Sequence, residues 1–87
     1  MDALARSYLD VMLAQALVRA TRDVEAQVAF WLLEDRAEHA DLVAARGDTA
    51  AAQRSYGIAR RRYSQLSAKH LSQSRARGPV RSARHGG

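Results

Sequence analysis

The stretch AARGDTAAAQ, residues 44–53, decides how many helices this chain makes. Gly47 suits the left-handed residue that closes a helix, and Asp48 or Thr49 suits the cap of the next one. Upstream, Ala3 to Arg46 holds neither glycine nor proline and is rich in alanine and leucine, so helix propensity is high throughout. One straight helix over that segment would be about 66 Å long at about 1.5 Å per residue, too long for a compact monomer of this size. A break is therefore expected in ATRDVE, residues 20–25, where Thr21 or Asp23 suits an N-cap and Glu25 a first turn. A continuous helix over 3–46, straight or bent, is the alternative.

Downstream of the turn, Ala52, Tyr56, Ala59, Tyr63 and Leu66 follow at spacings of 4, 3, 4 and 3, one apolar stripe on a helix. Phe30, Leu33, Ala37, Ala40 and Ala44, at spacings of 3, 4, 3 and 4, offer it a match. An antiparallel hairpin of Val24–Arg46 against Thr49–Leu71 follows, with alanines allowing close approach. The expected architecture is all-α: a small helical hairpin or three-helix bundle in residues 1–71, with helices over about 3–20, 24–46 and 49–71. The remainder, SQSRARGPVRSARHGG (72–87), has Val80 as its only large apolar residue and reads as a flexible basic tail.

Within 44–61, RGDTAAAQRSYGIAR resembles the second half of a tetratricopeptide repeat. Gly47, Ala52, Tyr56 and Ala59 stand at that family's turn, small, aromatic and small positions. Arg36 and His39 depart from its large apolar positions, and Ser64 replaces the closing proline. The likeness spans roughly one repeat, where solenoids need about three. It implies a tight helical hairpin and a protein-binding adaptor or chaperone-like role.

Eighty-seven residues make one small domain, and a core of that size is marginal by itself. With no cysteine, neither disulfides nor thiolate metal sites can reinforce it. VMLAQALV (11–18) and VAFWLL (28–33) place large apolar side chains around most of the helix circumference, which requires burial on more than one side. Val11, Met12, Leu13, Leu17, Val18, Phe30, Trp31 and Leu32 are accordingly expected to form an interface with a second copy or a permanent protein partner. The start, MDALARSYLD, lacks the basic region of a signal peptide, and no run approaches the length of a membrane span. A cytoplasmic protein is expected.

The net charge of +5 is unevenly divided. Residues 1–46 carry five arginines and eight acids, whereas residues 47–87 carry eight arginines and Lys69 against Asp48 alone. That asymmetry suggests an anionic partner for the second half. Arg54, Arg60, Arg61, Arg62 and Lys69 on the last helix, with Arg75, Arg77, Arg81 and Arg84 in the tail, are the candidate contacts. The leading anion is the backbone of DNA or RNA, held without much sequence readout. A helix-turn-helix reading fits poorly, because its recognition helix would be VEAQVAFWLLED, acidic and apolar where base-reading polar groups belong.

Catalytic chemistry finds no footing. EDRAEHAD (34–41) gathers carboxylates and His39 but lacks a Glu-x-x-His pair and a second ligand segment, so it reads as a solvated acidic face. The hydroxyls are scattered, the three histidines fall in separate regions, and no glycine-rich phosphate loop occurs. A non-enzymatic interaction protein without cofactor or metal is expected. Membrane-surface attachment fits less well, since the most apolar helices lie in the acidic half.

Overall fold

The computed structural model describes residues 2–86, with side chains for residues 2–74. Two helices account for it: α1, Ala3–Leu33, and α2, His39–Gly86, packed side by side and antiparallel. The hairpin measures 76 × 21 × 15 Å. No cis peptide and no strand occur among the described residues.

Two predicted breaks are absent, and hydroxyl chemistry explains both. Thr21 does not cap a new helix; its Oγ1 donates backwards to the carbonyls of Leu17 and Val18, each at 3.0 Å. Thr49 Oγ1 likewise donates to the carbonyl of Ala45 at 3.1 Å. A threonine that bonds the preceding turn stays inside a helix, whereas an N-cap accepts from amides ahead of it. Gly47 has no positive φ and lies inside α2, beyond its first two turns. The three-helix bundle, with helices over 3–20, 24–46 and 49–71, is thereby corrected to two longer helices. The repeat-like turn at Gly47 goes with it.

The chain turns instead at Glu34–Glu38, inside the stretch read as an acidic helical face. Asp35 takes the left-handed conformation at φ 63°. Its N–H donates to the Leu32 carbonyl at 3.1 Å, and the Arg36 N–H donates to the Trp31 carbonyl at 2.7 Å. This pair of bonds is a Schellman closure of α1. Aspartate is one of the few residues with a side chain that tolerates the conformation glycine usually supplies. The Arg36 guanidinium lies 5.8 Å from the centroid of the Trp31 ring, bracing the turn where an apolar contact commonly sits. At the start of α2, Asp41 Oδ2 accepts the Glu38 N–H at 2.8 Å, half of a capping box. At the other end of α1, Asp2 is the N-cap and accepts the Ala5 N–H at 2.7 Å.

The helices meet along one heptad stripe each. On α1 it runs Leu4, Ser7, Val11, Ala14, Val18, Thr21, Glu25, Val28 and Leu32, alternating 3 and 4, every member buried or half-buried. On α2 it runs Leu42, Ala45, Thr49, Ala52, Tyr56, Ala59, Tyr63 and Leu66 in the same alternation. This is the seam of an antiparallel coiled coil. The stripe expected over Ala52–Leu66 is present and extends upstream to Leu42. The matching stripe is not: Phe30 is 55% exposed and Leu33 87%, and α1 offers a different face.

Near the turn, Val28, Leu42 and Ala45 form the core, flanked by Ala29, Leu32 and Ala37. At the open end the Tyr8 and Tyr63 rings tilt together, centroids 5.8 Å apart. Pairing ends where Asp2 and Leu4 lie beside Leu66, Lys69, His70 and Gln73. No break in secondary structure marks residue 72, the expected start of the basic tail: the backbone helix of α2 continues to Gly86.

The core is thin. Its buried apolar members are Val18, Val28, Leu42, Ala45 and Ala52, and no large side chain among the described residues is fully enclosed. The accessible surface is 6878 Å² for 9.6 kDa, against roughly 5,100 Å² for a compact monomer of that mass.

Candidate functional site

Residues 54–69 of α2 turn one face to α1 through Tyr56, Ala59, Tyr63 and Leu66, leaving the remaining circumference to solvent. Arg54, Arg60, Arg61, Arg62 and Lys69 are all exposed there. They do not form a single cluster. Arg54 and Arg61 border one shallow concavity, floored by Ala50, Gly57 and Ile58. Small residues make this possible: a Cβ on Gly57 would lie 3.7 Å from the Arg61 guanidinium, which lies back across it.

Arg60 leans to one flank, its guanidinium carbon 5.6 Å from the centroid of the half-buried Tyr56 ring. Such a contact holds a cation's orientation and contributes about 0.5–1 kcal/mol at an exposed site. Arg62 points to the opposite flank, bordering a groove shared with Ser7, Asp10 and Ala14 of α1. Lys69 borders the groove at the open end, beside Asp2 and Leu4. Three consecutive arginines thus wrap the helix, and five cations follow one another along about 22 Å of axis. Arg75, Arg77, Arg81 and Arg84 lie outside the residues whose side chains are described.

None of these five cations makes an ion pair within 4.0 Å among the described residues, although Arg62 and Lys69 share their grooves with Asp10 and Asp2. Among the described residues the one ion pair is Arg36 with Glu34, 3.4 Å apart in the turn and exposed, worth little to stability. The carboxylates of EDRAEHAD serve the turn: Glu34 pairs with Arg36 and Asp41 caps α2. No group of three His, Cys, Asp or Glu among the described residues is placed to hold a metal ion.

The apolar candidates divide. Val18 is buried, and Val11 and Leu32 half-buried, against α2; their expected availability to a partner is corrected, because the heptad stripe uses them. Met12, Leu13, Leu17, Phe30 and Trp31 remain exposed on α1, joined by Leu9 and Val24, which sequence reasoning did not single out. Their signal was available as apolar residues at outward heptad positions, but it needed the heptad frame to be read. No helix among the described residues is long and apolar enough to cross a membrane. Comparison with protein-family models, curated proteins and solved structures finds no significant match, so the geometry of the hairpin is the ground on which a function is argued.

Proposed function

We propose that this chain is a non-enzymatic helical interaction protein whose basic α2 surface binds the backbone of a nucleic acid. The observation that carries the reading is that Arg54, Arg60, Arg61, Arg62 and Lys69 are exposed and, among the described residues, lie on no carboxylate. Set on both flanks and the outer face along about 22 Å of axis, the five cations present a broad positive field of the kind that backbone binding requires. Arginine suits phosphate through its rigid fork of donors. Contacts of this kind position a backbone and do not read bases, so little sequence preference is expected.

The test is fluorescence anisotropy of a labelled random-sequence duplex DNA, and of the matching RNA, at two salt concentrations. If all five cations each neutralise a phosphate, log K falls with log salt at a slope of about −4.5 on duplex DNA. Between 50 and 200 mM salt that is roughly a 500-fold loss of affinity. No binding at the lower salt sinks the reading. The exposed apolar face of α1 favours a rival, an adaptor or subunit docked in a larger protein assembly. Its partner would be held with little response to salt, and that difference separates the two.

A further inference from the structure

The hairpin buries one face of α1 and leaves another apolar face uncovered. Leu9, Leu13, Leu17, Val24, Phe30 and Trp31 are between 36% and 69% exposed. In the heptad frame they stand at outward positions, which a solvated coiled coil fills with polar side chains. With Ala16 and Ala20 between them, they form a strip along most of α1. Its centre lies about 125° around the helix from the seam with α2, at 100° per residue. A helix of a four-helix bundle likewise presents separate apolar stripes to its two neighbours.

We propose that this strip packs against the same strip of a second copy, antiparallel, so that two hairpins close a four-helix bundle. Area supports that occupant: the exposed parts of these six side chains sum to roughly 600 Å² per copy, and the flanking alanines and polar rim bring the contact toward the ~800 Å² per partner of a stable complex.

The strip is self-complementary: a two-fold axis near residue 22 places Leu13 of one copy by the partner's Trp31, with the pair occurring twice. Opposed helix directions also set opposite dipole ends together. The basic surfaces of α2 then face outward on both sides of the bundle. The inference stands independently of the nucleic-acid reading.

The first measurement is sedimentation equilibrium of the full chain, expected to give about twice 9.6 kDa at micromolar concentration. A helical monomer up to about 100 μM overturns the proposal, as does a complex formed only with a different protein. Because the chain has no cysteine, a single one reports position cleanly. Ala20→Cys, close to the axis, is expected to give a disulfide-linked dimer on mild oxidation, at least tenfold faster than Ala51→Cys on the outer face of α2. Equal rates overturn the arrangement. Leu13→Lys and Trp31→Glu are each expected to weaken the dimer severalfold, and the double variant to recover part of that loss. Failure of the double variant to recover refutes the antiparallel register.

Discussion

Replacing Gly47 by alanine separates two folds by the sign of one number. In the hairpin, Gly47 is interior to α2, has no positive φ, and a Cβ added there would meet nothing within 4 Å. Alanine then recovers the helix-propensity difference between the two residues, about 0.8–1.0 kcal/mol, with no packing penalty. In a chain of this size, 1 kcal/mol raises Tm by about 4–8 °C. Had Gly47 closed a helix in the left-handed conformation, the same substitution would cost about 1–2 kcal/mol and lower Tm by a similar amount. The assay is thermal unfolding followed by circular dichroism at 222 nm, with wild type and variant at one protein concentration, since association would otherwise shift both midpoints. A variant melting at or below the wild-type temperature refutes an uninterrupted α2 at this position.

Asp35, at φ 63°, is where glycine should help: Asp35→Gly is expected to raise the urea midpoint and Asp35→Ala to lower it, with about 1–2 kcal/mol between them. The hydroxyl of Ser7, buried in the seam, has no hydrogen-bond partner among the described residues. Ser7→Ala is therefore expected to stabilise by about 1 kcal/mol, and a destabilised variant would mean the hydroxyl is satisfied in solution. Replacing Arg60, Arg61 and Arg62 together by alanine is expected to reduce the salt slope of duplex binding by about 3 while shifting Tm by only a few degrees. A lost fold, seen as lost helical circular dichroism, would assign those arginines to stability instead.

How much was legible follows from where the physics is local. The α2 stripe from Ala52 to Leu66 stood out because its tyrosines and alanines alternate without interruption. The α1 stripe was hidden by Ser7, Thr21 and Glu25, three polar residues at seam positions, and by the surplus of apolar residues on the opposite side. Caps misled for a related reason. Thr21 and Thr49 carry a hydroxyl that serves a cap or the preceding turn equally well, and which it does depends on the backbone around it. Asp35 gave no warning, since glycine is the expected marker of a left-handed helix end. The exposed arginines were readable as residue types, but their spread around α2 was not, because it depends on which side α1 covers.

The chain's own residues, taken in order, determined an all-helical protein paired as an antiparallel hairpin, the charge division between its halves, and an excess of apolar surface. Each of these follows from propensity, periodicity or composition, quantities that sum over neighbours in sequence. Tertiary structure decided the number of helices, the place of the turn, and which apolar residues are buried and which remain open. Those choices compare whole registers: 31 residues of α1 can meet α2 along one continuous heptad seam only if the chain reverses at Glu34–Glu38. A turn at Gly47 would break that seam, and the free energy of the seam is shared among residues too far apart in sequence for any local signal to report it.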